Sequence, residues 1–238
     1  MSDRYDMSLD SERTEGIAQA GRALQRGRLV VMPTDTVYGI AADAFNADAV
    51  ARLLRAKGRG RQMPPPVLVS SRSTLEALAA GVPEWARTLV DALWPGPLTL
   101  IFRQQPSLQW DLGETRGTVA VRMPDHDVAI DLLSRTGPLA VSSANRTGLP
   151  PATDAEDAEA MLGELVRVLL DAGPTPGPVP STIVDCTSER GRVLRRGILP
   201  VERLREIVSV HDAEILDEGE EDATPEDDEP DGRQQPEE

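Results

Sequence analysis

Leu29-Val30-Val31-Met32-Pro33-Thr34-Asp35-Thr36-Val37-Tyr38-Gly39-Ile40 opens as an apolar run and turns polar after a proline. The run is too short for a helix, so it reads as a buried strand closed by Pro33. Ahead of it, residues 11–26 place Ile17, Ala20 and Leu24 at helical spacing, with Gly27 as a stop. Behind it, Asn46 can cap a helix carrying Val50, Leu53 and Leu54 that ends near Gly58. The alternation continues outward. Residues 67–69, 98–102, 118–123, 139–141, 166–170, 183–185 and 192–196 read as strands. Residues 84–94, 125–135, 154–162 and 200–208 read as helices, and Ser73 with Glu76 resembles a capping box. Such alternation, with two strand–strand stretches, predicts a single α/β domain over residues 9–210, built on a twisted mixed β-sheet flanked by helices. Residues 1–8 read as a loose polar start.

The chain has 238 residues, enough for one domain with a sizeable core. Its net charge of −15 is unevenly spread. From His211 to Glu238 there are 14 acids and one base, whereas residues 1–210 carry 26 acids and 24 bases. Residues 211–238 are therefore expected to be a disordered acidic tail. The near-neutral body neither demands nor excludes an anionic ligand. No apolar run approaches a membrane span, and the first twenty residues hold five acids and no apolar stretch, so no signal peptide is expected. One cysteine, Cys186, excludes a disulfide framework, and two histidines make a histidine-rich metal site a poor expectation. The expected compartment is the cytoplasm.

Of 25 basic residues 24 are arginine, and the one lysine is Lys57. Coding bias would produce the arginines; a compact ammonium kept among them marks its position for attention. Lys57 opens the stretch Lys57-Gly58-Arg59-Gly60-Arg61, where glycines allow close approach and cations can neutralise phosphate oxygens. A solvated helix end, with cations against the dipole, would look the same. The order of residues is not that of a Walker A loop. Thr34-Asp35-Thr36 follows a strand, where α/β sheets place ligands, although a self-bonded turn fits equally. Arg122 interrupts the apolar strand Val119-Ala120-Val121-Arg122-Met123 and needs either an acid or an anionic ligand. Leu139-Ala140-Val141 runs into Ser142-Ser143-Ala144-Asn145, another strand ending in small polar groups. With few histidines and no activated cysteine, triad or metal-water hydrolysis fits poorly. Anion binding and electrostatic positioning fit better.

Taken in order, PTDTVYGIAA (33–42), WPGPLTLI (94–101), VAVRMPDH (119–126), PLAVSSANRTGLPPAT (138–153) and STIVD (181–185) resemble the Sua5/YciO/YrdC family, from about Gly16 to Glu206. The resemblance implies a YrdC-like fold with a concave, positively lined face. It also implies synthesis of L-threonylcarbamoyladenylate and pyrophosphate from L-threonine, bicarbonate and ATP, with Mg2+ held through the ATP phosphates. The product would pass to the machinery that makes N6-threonylcarbamoyladenosine at position 37 of tRNA, with tRNA itself at most a weak partner and no membrane involved. Carried over by position, Lys57 and Arg59 resemble the catalytic cations. Lys57, Arg59, Thr118, Ser143, Asn145, Thr153 and Arg195 resemble ATP contacts. Thr36, Arg122, Ser143 and Ser181 resemble threonine contacts, Arg122 gripping the carboxylate, and no metal ligand is implied. The chain departs from the family pattern at Gly60 and Met63-Pro64, so position 63 carries no assigned contact, and at Leu68, where some longer members have histidine. It is expected to lack the extra C-terminal domain of long members. A paralogue of the YciO type with another acceptor, or an RNA-binding module, are the rival readings.

Overall fold

The computed structural model describes residues 2–219. In chain order it forms β1 (Asp3–Asp6), α1 (Asp10–Gln25), β2 (Val30–Met32), β3 (Gly39–Asp43), α2 (Ala47–Lys57) and β4 (Val67–Leu68). There follow α3 (Thr74–Leu78), β5 (Ala79–Ala80), α4 (Glu84–Leu93), β6 (Leu98–Gln104), β7 (Thr118–Arg122) and α5 (Asp127–Thr136). The last elements are β8 (Leu139–Ser143), α6 (Ala155–Leu162), β9 (Val168–Asp171), β10 (Thr182–Asp185), β11 (Gly191–Arg195), α7 (Val201–Val208) and β12 (Ile215–Leu216). All strands share one mixed sheet in the order β1-β9-β2-β3-β8-β4-β7-β6-β10-β11-β12, with β5 paired to β6 outside that path.

The sheet is covered differently along its width, and the difference positions the site. In β2, Val30 and Met32 pack with α1 and α5. Leu29 and Val31, on the other face, pack with α2 and α6. A strand buried on both faces needs an uninterrupted apolar run, which is what 29–32 supplies. β6 and β7 are covered on one face only. Leu98, Leu100, Phe102, Val119 and Val121 enter the core under α4 and α7. Their alternates Thr99, Ile101, Thr118, Ala120 and Arg122 face a cavity instead. The period of two therefore explains why an arginine sits inside an apolar strand.

Two expected helix starts hold: the Asn46 side chain accepts from Ala49 N at 3.0 Å, and the Asp154 side chain accepts from Asp157 N at 2.8 Å. The Ser73 capping box does not form. Ser73 is itself helical, with φ −62° and ψ −24°, and its side chain caps nothing. Glu76 turns instead to Arg87. β3 was hidden in the sequence because its small residues, Gly39 and Ala41-Ala42, carry little strand preference; pairing between β2 and β8 forms it.

Both chain ends differ from expectation. Residues 3–6 are not a loose start but strand β1, paired in parallel to β9. The expected tail 211–238 begins too early. Ile215 and Leu216 form β12 against β11 and are buried, and Asp217 pairs with Arg196 at 2.6 Å. Two apolar residues between acids were too short a signal to read, and burial under α7 supplies the reason they fold. Residues 220–238, the rest of that tail, lie outside the described residues. Among the described residues no helix is long and apolar enough to cross a membrane. The placement of Ile215, with no exposed surface, predicts that Ile215→Ala costs about 2–5 kcal/mol in urea unfolding; an unchanged midpoint would return this segment to the tail.

Candidate active site

One cavity of about 430 Å³ opens on the uncovered face of β6, β7 and β10. Eight of the sequence-assigned residues line it: Thr36, Arg59, Thr118, Arg122, Ser143, Asn145, Ser181 and Arg195. They arrive from six separate segments, which no local reading of the chain could bring together. Thr153 is not among the lining residues; Pro151 is, and the Thr153 carbonyl accepts from Thr175 N at 2.7 Å. Lys57 does not line the cavity either. It lies beneath the wall with no exposed surface.

Lys57 is the last residue of α2. Its ammonium donates to Asn145 Oδ1 at 2.8 Å, to Ser143 Oγ at 3.2 Å and to the Ser143 carbonyl. Those three acceptors match the three N–H donors of an ammonium. Asn145 is equally committed, donating through Nδ2 to the carbonyls of Arg146 at 3.0 Å and Leu149 at 2.6 Å. Its two N–H donors are therefore engaged by the loop after β8 and not free for ribose or phosphate. The Lys57–Ser143–Asn145 cluster is a clamp that fixes the cavity wall.

Gly58 ends α2 in the left-handed region, at φ 66° and ψ 33°, a conformation that favours glycine. The turn throws Arg59 back across the end of β8, where its guanidinium donates to Ser142 Oγ at 3.1 Å and Thr147 Oγ1 at 3.3 Å. Arg195 donates through Nη2 to the Ser181 carbonyl at 2.7 Å and Ser181 Oγ at 3.1 Å. Ser181 in turn shares a 2.8 Å hydrogen bond with Thr99. Gly197 is required beside this strand end, since a Cβ there would collide with backbone atoms of Pro180, Ser181 and Thr182.

Of the two partners its strand left open, Arg122 has the acid. Its Nη2 pairs with Asp35 Oδ1 at 2.5 Å, its Nη1 donates to Thr36 Oγ1 at 3.0 Å and its Nε donates to the Gly96 carbonyl at 3.0 Å. Three of five N–H donors are thus engaged by the protein, and two remain for a ligand. Asp35 was quoted in the sequence motif but assigned no role. It also accepts from Asp125 N at 3.0 Å, while its Oδ2 is buried without a partner. Thr34, Thr99, Thr115 and Ser142 likewise line the cavity without having been singled out. For Thr99 the alternation of β6 was the available signal.

The cavity walls carry Arg59, Arg122 and Arg195 and no aspartate or glutamate. Among the described residues neither Arg59 nor Arg195 meets a carboxylate. Burial lowers the pKa of both, and the charges of Arg122 and Arg59 lower that of Arg195 further. Cations that hydroxyls hydrate but no acid neutralises form a site for a multiply charged anion. Among the described residues no group of three His, Cys, Asp or Glu could hold a metal ion.

Comparison with known proteins agrees with this chemistry. The Sua5/YciO/YrdC family, described as telomere recombination, matches residues 22–197. A Mycobacterium tuberculosis H37Rv protein provisionally named threonylcarbamoyl-AMP synthase is 54% identical over 91% of this chain and 100% of its own length. The threonylcarbamoyl-AMP synthase of Bacillus subtilis is 38% identical over 88% of this chain, which spans 62% of that protein. The crystal structure of P. abyssi Sua5 complexed with L-threonine superposes with a TM-score of 0.81 at 33% identity, covering 90% of this chain and 62% of that one.

The clamp makes a pH prediction. Burial first, and Arg59 second, lower the Lys57 pKa from 10.5 to about 7. Between those values the unfolded chain binds more protons than the folded one, so this group makes stability rise with pH above about 7. Urea unfolding between about pH 7 and 9 is expected to show that rise in the native protein and a flatter slope in Lys57→Met. Equal slopes would mean that Lys57 keeps its proton throughout.

Proposed function

The chain belongs to the Sua5/YciO/YrdC family, and from that premise we propose that it makes L-threonylcarbamoyladenylate and pyrophosphate from L-threonine, bicarbonate and ATP. The observation that carries this reading is the set of three guanidiniums lining one cavity, two of which meet no carboxylate among the described residues. The substrates are two anions, a triphosphate and bicarbonate, and an amino acid that presents a carboxylate. The relatives named as threonylcarbamoyl-AMP synthases, and the Sua5 structure holding L-threonine, support the same assignment.

The chemistry divides into two balanced steps. The threonine amine and bicarbonate give a carbamate and water. A carbamate oxygen then bonds to the α-phosphorus of ATP while the bond from that phosphorus to the bridging oxygen breaks, and pyrophosphate leaves. A carbamate is already anionic, so the second step requires no strong side-chain base. Alignment and charge neutralisation carry most of the rate enhancement. Arg59 and Arg195 offset charge on the phosphates and on the departing pyrophosphate. Arg122 holds the threonine carboxylate with the two donors that Asp35, Thr36 and Gly96 leave free. Thr36 and Ser181 contribute hydroxyls beside it. Lys57 acts through Ser143 and Asn145, as a positioning residue and not as a phosphate contact. A magnesium ion held by the triphosphate would supply further neutralisation of its charge beside Arg59 and Arg195. The product serves tRNA threonylcarbamoylation in the cytoplasm.

Pyrophosphate release from ATP and magnesium is expected to require both L-threonine and bicarbonate. Release without either would replace this function with plain ATP hydrolysis. Arg122→Ala would leave Asp35 as an unpaired buried charge, so Arg122→Lys is the cleaner variant. It keeps the charge and loses the fork. Its threonine KM is expected to rise about tenfold or more, the equivalent of one charge-assisted hydrogen bond, with ATP KM little changed. A rise confined to ATP would move Arg122 to the nucleotide.

A further inference from the structure

A second cleft, of about 540 Å³, lies where the end of α1, the middle of α2 and the start of β9 meet. Arg22, Arg26, Arg28, Arg52 and Arg167 line it, against two carboxylates, Asp3 and Glu164. Arg28 precedes β2 by two residues and Thr34 follows it by two, so this cleft and the cavity above lie at opposite ends of one strand. Their separation is on the order of 20 Å at the rise of a strand. Nothing in the proposed synthesis uses it.

Three of the five guanidiniums have fixed partners. Arg22 pairs with Glu15 at 3.1 Å, outside the cleft, and Arg167 pairs with Asp3 at 2.9 Å. Arg52 donates to the Gly27 carbonyl. Arg26 and Arg28 have no side-chain hydrogen bond or ion pair among the described residues. Elsewhere on the surface Arg55, Arg103, Arg116 and Arg135 likewise have no such partner among the described residues, and others are paired. Arg4, Arg13, Arg61, Arg87 and Arg203 each meet a carboxylate. A cleft that gathers five like charges and leaves two adjacent ones unanswered is stabilised by an anion with several negative groups. A planar guanidinium fork matches phosphate oxygens. The lining contains no aromatic ring, so the cleft offers charge and hydrogen bonds without a stacking platform for a base.

We infer that this cleft is a second anion site that takes an oligophosphate: either a free one or consecutive phosphodiesters of an RNA strand. In both cases adjacent phosphates would be bridged by Arg26 and Arg28, with Arg52 and Arg167 extending the contact.

The probe is inorganic tripolyphosphate, titrated calorimetrically into the full chain. Two sites are expected. Arg26→Gln/Arg28→Gln removes or weakens one by about tenfold or more, as expected for lost charge-assisted hydrogen bonds. Arg195→Ala weakens the other, in the cavity. Both positions are exposed, so the double variant is expected to melt with the native protein. A labelled single-stranded RNA, titrated against salt, separates the two sources. A fall of about 1.4 in the slope of log K against log salt in the double variant assigns the site to a phosphodiester backbone. An unchanged RNA slope with the tripolyphosphate site lost assigns it to a free oligophosphate. Equal binding of both probes to the native protein and the double variant would overturn the inference. So would a single tripolyphosphate site that only Arg195→Ala removes. Threonine-dependent pyrophosphate release is expected to survive in the double variant, and its loss would overturn the independence of the two sites.

Discussion

An ammonium with no exposed surface has to be answered at every N–H, and that requirement organises the catalytic end of this protein. Lys57 finds its acceptors only where the end of α2 meets the residues after β8. Meeting them fixes Ser143 and Asn145, and Asn145 in turn holds the carbonyls of Arg146 and Leu149. One residue later the left-handed turn at Gly58 aims Arg59 over the same strand end. The buried lysine and the cavity arginine are thus two consequences of how one helix stops. A longer or differently branched cation would not satisfy this arrangement, which accounts for a lysine surviving in a chain that otherwise uses arginine.

The electrostatics of the cavity divide along the same lines. Arg122 is anchored by Asp35, so its orientation is set before a ligand arrives. Arg59 and Arg195 rest on hydroxyls and a carbonyl, partners that hold direction without removing charge. A guanidinium anchored by an acid and two guanidiniums resting on neutral groups are different devices. The reaction proposed needs both, because an amino acid has to stay still while a phosphorus changes partners.

Much of this was legible in the sequence because the relevant signals are local. β2, buried on both faces, had to be a continuous apolar run, and the alternation in β6 and β7 set one face apart. The quoted segments carried most of the site residues, since all but Arg195 lie within one or beside one. What escaped reading depended on distant pairing. β3 owes its strand to neighbours at 30–32 and 139–143, and β12 to a groove beside β11 and α7. The committed state of Asn145 and the burial of Lys57 are also three-dimensional facts. A position can match a family motif while its donors are already engaged, and only the fold distinguishes contact from support.

The two ends of the sheet have a consequence for how the protein behaves at high concentration. An open sheet exposes unpaired backbone groups along its outermost strands, and these can recruit a strand from another molecule. Here one border is Asp3-Arg4-Tyr5-Asp6, where Arg167 holds Asp3, Asp171 and Glu159 hold Arg4, and Ser8 donates to Asp6. The opposite border is a strand of two residues followed at once by Asp217 and Glu218. A charged edge and a truncated one both resist edge-to-edge stacking. The segments least legible as structure are therefore the ones that border the sheet among the described residues.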